Sequence, residues 1–572
     1  MKKLLSILLS MALLLSLGVT AFAAEDTSVG IIGGADGPTS ILISPNPAAI
    51  LDMPDLENMT EAELDAYFAE LEAQYTAELE AQAAAQKAQM IAAAKSLMPY
   101  PDGVNVWLNG AYMTFPDAVP VVKDGRTQMP FRAILEALGA TVSYDNGKID
   151  AVFADGSVMK LAIGSNVMTY TYDNGDKFTS THMDVAPYID HEVDRTYVPV
   201  RFIGEALGLT VTWDPELWVA YIVDWDALET EINGQFTKIN EMLALSMQTQ
   251  DPAKTYRTEE SIVLSGVLDG QSKDPFVLSL QGGGLTRGQD MSGSYTIGID
   301  RGGYASLLEA QEDDLEAVLQ AINGQKIDLV VNAEQGILLR SALLNMTLGD
   351  ALPANAWLKL IDMEQVFALY DGLGLDMNGL MTQAVQGDFT MGRLVRTMCE
   401  SGELGRSMGY MPPDSAARLY TALYASMLGD KQIKVSGSKT YTCTFTFEDM
   451  MDAMVEGGLL GAADVEAAKA ELKALGLTMN FKMQLTAKDN KVAKSTADMT
   501  MAMEGLRMTM KMEGTATQAK GNIELKIDGA GTFDLDITSK VTESEGVPMT
   551  PAAGEPVIDL MEQLNAPAIL AE

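Results

Sequence analysis

The second half of the chain alternates between apolar and polar residues in one short run after another. A two-residue period is typical of strands that have one apolar face and one solvated face. The runs occur at 262–264, 276–280, 295–299, 327–331, 477–485, 499–503, 506–512, 523–527 and 533–537. The series predicts an antiparallel meander with one apolar face.

Helical patterns interrupt this series of strands. They cover residues 363–373, 391–403, 414–428 and 448–475. We therefore predict an α+β domain at 229–572, in which a large curved antiparallel sheet, a half-barrel, has its apolar face covered by helices.

A different pattern, rich in Ala, Glu, Gln and Leu, runs from residue 59 to residue 98. Thr60 and Glu63 have the spacing of a capping box, apolar residues recur every three or four positions, and Pro99 ends the pattern. We expect one long helix. Its narrow apolar stripe suits either a coiled coil or packing against a neighbouring domain, and as a spacer it would reach roughly 50–55 Å at 1.5 Å per residue.

Residues 104–226 contain an internal repeat. R-T-Q-M-P-F-R from Arg126 leads to E-A-L-G and T-V-S-Y-D, and R-T-Y-V-P-V-R from Arg195 leads to E-A-L-G and T-V-T-W-D. Each copy predicts a hairpin, a short helix and a strand, with a proline where strand pairing stops and a glycine that ends the helix in the left-handed conformation. The second copy lacks a glycine turn at 191–194, where the first has Asp124 and Gly125.

The repeated R-T-x-x-P-x-R-x-x-x-E-A-L-G pattern resembles the copper amine oxidase N-terminal-like domain, a small stalk module of exported Gram-positive proteins. In those oxidases the catalytic copper and the quinone belong to a different domain. The Asn-Tyr-Asp/Glu signature from which the quinone forms is missing from this chain, as are the three histidine ligands. The resemblance therefore implies a stalk domain at 104–226 and no copper chemistry.

Residues 229–572, with the motif A-W-L-K-L-I-D at 356–362, are distantly similar to exported half-barrel proteins of the lipoprotein-carrier type. In that family the apolar face under the helices holds a lipid or an acyl chain. The chain has 36 methionines, and this flexible side chain suits an adaptable apolar pocket as well as an ordinary core. A Cu(I) thioether site is a third reading of the methionines. The predicted pocket residues are Met479, Phe481, Met483, Met501, Met503, Met508 and Met510.

The first 58 residues predict export. Lys2 and Lys3 precede an apolar run and the small-x-small exit Ala21-Phe22-Ala23, which is typical of a cleavable signal peptide at 1–23. A Gly/Pro-containing leader at 24–58 follows, and its segment 30–42 resembles a motif of the β subunit of sodium-pumping decarboxylases. That family uses the motif within membrane helices, so we do not assign Asp36 as a sodium ligand. No later run reaches about 18 apolar residues, so we expect a secreted, surface-associated protein without a membrane span.

The composition is strongly acidic, with 79 Asp and Glu against 39 Lys and Arg and a formal net charge of −40. Such a charge repels nucleic acid and anionic lipid surfaces, keeps an exported protein soluble, and could attract basic wall components or divalent cations. Arg132 and Arg201 are candidates for contact with an anionic wall polymer, or else structural partners of Glu136 and Glu205.

The candidate metal and redox residues are few. Cys399 and Cys443 are the two cysteines, so a disulfide between them is the single bridge that an exported chain of this composition could form. His182 and His191 cannot build a three-imidazole site. We therefore predict no metal and no cofactor.

Two motifs of common hydrolases are missing: the chain has no H-E-x-x-H and no Cys/His pair. We expect a non-catalytic, envelope-associated protein whose stalk domain attaches or spaces it and whose C-terminal domain binds an apolar or lipidic ligand. The alternatives are a structural or adhesive surface protein with a filled core, and a hydrolase built from scattered carboxylates. An internal cavity would distinguish the first from the second, and a cluster of buried carboxylates would favour the third.

Overall fold

The computed structural model describes most of the chain between Val29 and Asp559. The described residues are 29–31, 41–43, 60–172, 178–247, 251–268, 275–300, 317, 319–332, 334–344, 353, 355–372, 376–437, 439–456 and 461–559. The predicted signal peptide at 1–23 lies outside them. Of the leader, two short strands are described, Val29–Ile31 (β1) and Ile41–Ile43 (β2), which pair antiparallel.

The long helix of the Ala- and Glu-rich segment spans Glu61–Ser96 (α1). Met90, Ile91 and Ala94 in its last turns pack against a small apolar cluster that includes Leu217 and Tyr221 of the next domain. This end of the helix therefore packs against a neighbouring domain, which is one of the two arrangements that its apolar stripe suited.

The repeat-containing domain consists of small sheets and two short helices. Its elements are Asn105–Leu108 (β3), Ala111–Tyr112 (β4), Val121–Lys123 (β5), Arg126–Pro130 (β6), Phe131–Ala137 (α2), Thr141–Asp145 (β7), Lys148–Val152 (β8), Val158–Ala162 (β9), Val167–Thr171 (β10), Phe178–His182 (β11), Tyr188–Asp190 (β12), Arg195–Pro199 (β13), Val200–Ala206 (α3), Thr210–Asp214 (β14) and Val219–Val223 (β15). The sheets have the strand orders β11-β10-β9-β8-β7, β12-β13-β6-β5 and β14-β15-β3-β4.

The two copies of the repeat fold alike and meet at equivalent residues. Each forms a five-residue strand, a seven-residue helix and a second five-residue strand. Strands β6 and β13 pair antiparallel with Met129 opposite its counterpart Val198, so a local two-fold axis relates the copies. Around this axis the equivalent arginines form crossed ion pairs, Arg126 with Asp184 and Arg195 with Asp117.

The turn at 191–194 forms without a glycine. Asp194 adopts the left-handed conformation with φ 51°, at the position that Gly125 occupies with φ 70° in the first copy. Asp is one of the few residues with a side chain that tolerates this conformation, because its short polar side chain can hydrogen-bond locally. The departure from the family pattern therefore leaves the hairpin intact.

The C-terminal domain combines one large sheet with helices that pack against it. Its helices are Trp225–Asn233 (α4), Thr237–Met247 (α5), Met363–Gly372 (α6), Met377–Gln386 (α7), Met391–Cys399 (α8), Glu403–Ser407 (α9), Pro413–Leu428 (α10), Phe447–Glu456 (α11) and Ala462–Ala474 (α12). Its strands are Thr255–Leu268 (β16), Phe276–Arg287 (β17), Asp290–Asp300 (β18), Lys326–Asn332 (β19), Gly336–Arg340 (β20), Trp357–Ile361 (β21), Ile433–Ser436 (β22), Thr440–Thr446 (β23), Thr478–Lys488 (β24), Lys491–Met503 (β25), Leu506–Gly514 (β26), Gln518–Ile527 (β27), Gly531–Ser544 (β28) and Val557–Asp559 (β29).

These strands form a single curled sheet, in the order β22-β23-β24-β25-β26-β27-β28-β16-β17-β18-β19-β20-β21-β29. All neighbours are antiparallel except β21 and β29, which run parallel. The predicted α+β class and the half-barrel are thereby confirmed. The order also explains how the early and late strands become one layer: β16 pairs with β28, so the first strand of the domain closes against the last long one.

The main core lies where the helices cover strands β22 to β25. Trp225 from α4, Phe236 from the connection between α4 and α5, Tyr420 from α10 and Phe481 from β24 are all buried in it. Helices α4 and α5 were not predicted. They come from 225–247, just at the start of the domain predicted from residue 229, and contribute several of the buried side chains.

Two of the predicted helices each correspond to two shorter helices in the structure. The helix predicted at 448–475 is two helices, α11 and α12, and the intervening segment contains Gly457 and Gly458, which are poor helix formers. The helix predicted at 391–403 ends with Cys399, and Gly402 in the left-handed conformation starts the separate helix α9.

Candidate apolar ligand pocket

The predicted pocket residues share one face of the sheet. Residues directly opposite each other on paired strands lie on the same face. Met479 is opposite Met501, and Met501 is opposite Met508 on the next strand. Likewise, Phe481 and Met510 both lie opposite Met499, one on each side of β25. Met483 and Met503 follow on the same face by the two-residue period of their strands. This apolar face continues across β27, β28, β16 and β17 through Ile523, Leu535, Leu264 and Leu278.

The helices cover this face unevenly. Phe481 and Met483 on β24 are buried in the main core, and Phe481 packs against Phe445 with ring centroids 4.9 Å apart. Met508 and Met510 on β26 are only partly buried, and Met503 at the end of β25 is 41% exposed. The methionines therefore belong to the core at one side of the sheet and to a more open apolar surface at the other.

A cavity of about 260 Å³ adjoins the core side of this face. Its apolar lining comes from α5, β18, β24, β25 and β26 and includes Met242, Met291, Met483, Leu485, Val492 and Met512. Serine, threonine and glutamine residues line much of the rest, among them Thr258, Thr286 and Gln484. Met483 is the one of the seven predicted pocket residues that lines it. A space of this size is just below the usual range for small-molecule sites, and four of its lining residues are methionines, whose flexible side chains suit an apolar occupant.

The floor of the pocket is open because small residues replace large ones on the apolar face. One cross-strand row reads Ser495, Gly514, Ala519 and Ser539, from β25 to β28. Neighbouring rows carry Met, Leu and Ile at most of the equivalent positions. In the next row Gly521 lacks a side chain under Met512, and a Cβ there would overlap the Met512 sulfur.

One carboxylate faces this pocket from the same row. Glu260 on β16 lies opposite Ser539 and Gly282, and Tyr295 on β18 donates a hydrogen bond from its hydroxyl to Glu260 Oε2 at 2.6 Å. Burial and the adjacent carboxylate both raise the pKa of Tyr295, so its hydroxyl stays protonated and continues to donate. The pocket thus combines apolar walls with one oriented acidic group.

Sequence reasoning missed several of these residues. Met242 comes from a helix that was not predicted, Met291 precedes the predicted strand at 295–299, and Glu260 precedes the run at 262–264. The detectable signal was the small residues at 514, 519 and 521, which interrupt an otherwise apolar set of positions.

The repeat-containing domain has a recognisable relative. Residues 107–222 match the family model of the copper amine oxidase N-terminal domain. This is a non-catalytic, stalk-type domain, and the match covers neither the leader nor the half-barrel. In a comparison with curated proteins, none matches the chain.

The two arginines predicted to contact a wall polymer, Arg132 and Arg201, are both exposed. Arg132 lies 3.3 Å from its own Glu136 and donates to the carbonyl of Val142 at 3.2 Å. Arg201 lines a shallow groove of about 140 Å³ together with Arg126 and Trp213. Arg132 therefore has local partners, whereas Arg201 lines this groove.

The copper amine oxidase N-terminal domain is fixed to the helices of the half-barrel by polar contacts. Trp107 Nε1 donates to Asp414 Oδ1 at 2.7 Å, and Arg406 Nε lies 3.3 Å from Asp214 Oδ2. Asp414 begins helix α10 and is buried, and this burial raises its pKa. Glu216 adds an ion pair to Lys87 of helix α1 at 2.8 Å.

Asp214 and Asp414 are the carboxylic acids that are buried among the described residues. Each accepts hydrogen bonds from neighbouring groups of the fold. Asp214 accepts backbone N–H groups of Glu216 and Leu217 at 2.9 Å each, in addition to Arg406, and Asp414 accepts from Trp107 and from the backbone of Ser415. This arrangement holds the two domains together.

The two cysteines are free thiols, so the disulfide considered from the sequence is not formed. Both are buried in the main core, but on different elements: Cys399 ends helix α8, and Cys443 on β23 donates to the carbonyl of Met427 at 3.2 Å. Burial raises the pKa of Cys443 to about 12 and raises that of Cys399 as well.

Within the described part of the chain, no three Asp, Glu, His or Cys side chains gather as a metal site. None of the helices described there is both long and apolar enough to cross a membrane.

Proposed function

We propose that the protein is exported and non-catalytic, and that its half-barrel binds an apolar or lipidic molecule at the cell envelope. The observation that carries this proposal is the pocket of about 260 Å³ on the Met-rich face. A sheet that served only as a filled core would carry large side chains at Gly514 and Ala519, where this one leaves a space.

In this proposal the copper amine oxidase N-terminal domain serves as a stalk. Its contacts with helices α9 and α10 give the half-barrel a defined position relative to the stalk. The groove beside Arg201 is the proposed point of contact with an anionic wall polymer. Proteins of this kind would hold their ligand at the surface without transforming it.

The pocket is tested by filling it. Ala519→Leu places a larger side chain on the pocket floor, whereas Ala493→Leu adds the same atoms at an exposed position of β25 that does not line this pocket. Using the purified full-length mature chain, we expect Nile red fluorescence titration to give a Kd for Ala519→Leu at least about tenfold weaker, which is roughly 1.4 kcal/mol. Ala493→Leu should bind like the unmodified chain.

Native mass spectrometry of the same samples provides the second measurement. A bound lipid or acyl species that is present in the unmodified chain and reduced in Ala519→Leu would support the proposal. If the unmodified chain takes up neither Nile red nor a co-purified apolar molecule, the pocket proposal is wrong and a structural surface protein is the better account.

A further inference from the structure

Glu260 is unusual because it places a carboxyl group on the apolar face of the sheet and, within the described part of the chain, forms no ion pair. Its neighbour Glu259 points to the opposite, polar face, where it lies 3.6 Å from Lys540. Glu513, at the pocket edge, lies 2.6 Å from Lys520 and 3.5 Å from Lys494. Among the ion pairs of the described residues, none includes Glu260.

The surroundings of Glu260 keep space in front of its carboxylate. Its two cross-strand neighbours on this face are Ser539 and Gly282, both small. Tyr295 donates to Oε2, which fixes the carboxylate, and no hydrogen bond of the described residues involves Oε1. A partly desolvated carboxylate held in this way binds most strongly to a group that brings both a positive charge and N–H donors.

We propose that the occupant of the pocket is an amphiphile whose polar end is a protonated amine, bound by Glu260 and oriented by Tyr295. This rests on the proposed function. The apolar part of the ligand lies against Met242, Met291 and Met512, and its ammonium group donates to Glu260 Oε1. The net charge of −40 acts in the same direction, because it attracts a cationic amphiphile and repels an anionic one such as a fatty acid.

The experiment compares three ligands with the same alkyl chain. Dodecylamine, dodecanol and laurate, each below its micellar concentration at pH 7, compete with Nile red for the purified full-length mature protein. We expect dodecylamine to bind about tenfold or more tightly than dodecanol, since a hydrogen bond to a charged group contributes more than one to a neutral group. Laurate should bind most weakly.

Variants separate the local carboxylate from the general acidity of the chain. Glu260→Gln keeps the size of the side chain and removes its charge, so the preference for dodecylamine over dodecanol should disappear while dodecanol binding is retained. Glu259→Gln removes the same charge from the other face and should keep the preference. Tyr295→Phe should reduce the preference by a few fold, because the carboxylate loses its positioning hydrogen bond.

The outcomes distinguish the assignment of Glu260 from the proposal of an apolar pocket. If dodecylamine binds no better than dodecanol, or if Glu260→Gln retains the amine preference, the assignment of Glu260 is wrong while the apolar pocket stands. If Glu259→Gln abolishes the preference as fully as Glu260→Gln, the effect comes from net charge and the assignment is again wrong. If Nile red and all three ligands fail to bind, the proposed function itself is overturned.

Discussion

Cys399 and Cys443 show how burial alone determines the chemistry of a side chain. The attacking species in thiol chemistry is the thiolate, and burial in the main core raises the pKa of both thiols, that of Cys443 to about 12. We therefore expect neither cysteine to react measurably with a disulfide reagent such as DTNB in the native protein at pH 8. After unfolding in guanidinium chloride without reductant, two thiols per chain should be titrated.

Either of two results would contradict this picture. Rapid labelling of the native protein would show that the core opens around one of the thiols. A count of zero thiols in the unfolded, unreduced chain would show that the cysteines are joined after all. A matched control is Cys443→Ala, which should lower the count after unfolding by one and leave the native protein unreactive.

At the scale of single elements, the two copies of the repeat differ most at one helix position. Leu135 of α2 is fully buried, and its counterpart in α3 is Gly204, where a Cβ would overlap Val211 Cγ2 on strand β14. Gly204→Ala should therefore destabilise the domain by about 1–3 kcal/mol, although alanine is the better helix former. The measurement is the free energy of unfolding from denaturant titration followed by tryptophan fluorescence.

Glu205→Ala is the control for this substitution, because Glu205 is exposed on the same helix and its loss should change stability by no more than about 0.5 kcal/mol. A Gly204→Ala protein as stable as the control would mean that β14 moves away from α3 without cost.

The strands of the half-barrel show which features a sequence pattern can predict. Alternation identified most long strands and placed all seven candidate residues on one face, because the two-residue period fixes the face of every residue in a run. It could not identify Glu260, since Glu259 and Glu260 are adjacent charged residues and the pattern does not say which of them faces inward. The register of β16 against both β17 and β28 decides that question.

The pocket depends on how the strands pair with one another, which the sequence of a single strand does not specify. Gly514, Ala519 and Ser539 come from three strands, and each is an ordinary small residue in its own run. Only the pairing of the strands aligns them in one row on the floor of the pocket. Similarly, Met242 reaches the pocket from helix α5, which the sequence analysis did not predict.

At the scale of the whole molecule, the stalk and the half-barrel are joined by residues far apart in the chain. Trp107 bonds to Asp414, and Asp214 pairs with Arg406, across the boundary between the two domains. The sequence patterns distinguish these two regions, but contacts of such long range follow no local period. The consequence is that helices α9 and α10 act both as the cover of the sheet and as the docking surface of the stalk.

Asp414 makes this docking dependent on pH. Burial raises its native pKa above the ordinary value of 3.8, so the native state holds the Asp414 proton more tightly than the unfolded chain does. The stabilisation from the protonated form is fully present below about pH 3.8 and is lost as the pH rises through the raised native pKa. Asp414→Asn stays neutral throughout and retains an oxygen that can accept from Trp107 Nε1.

We therefore expect the stability of Asp414→Asn, relative to the unmodified chain, to increase as the pH rises from 3.5 to 7. Asp414→Ala removes the acceptor and should be less stable than Asp414→Asn by about 1–3 kcal/mol at every pH. The measurement is the thermal unfolding midpoint across this range. A difference between Asp414→Asn and the unmodified chain that stays constant with pH would show that Asp414 has the same pKa in both states, and that the buried contact to Trp107 is held by the ionised acid.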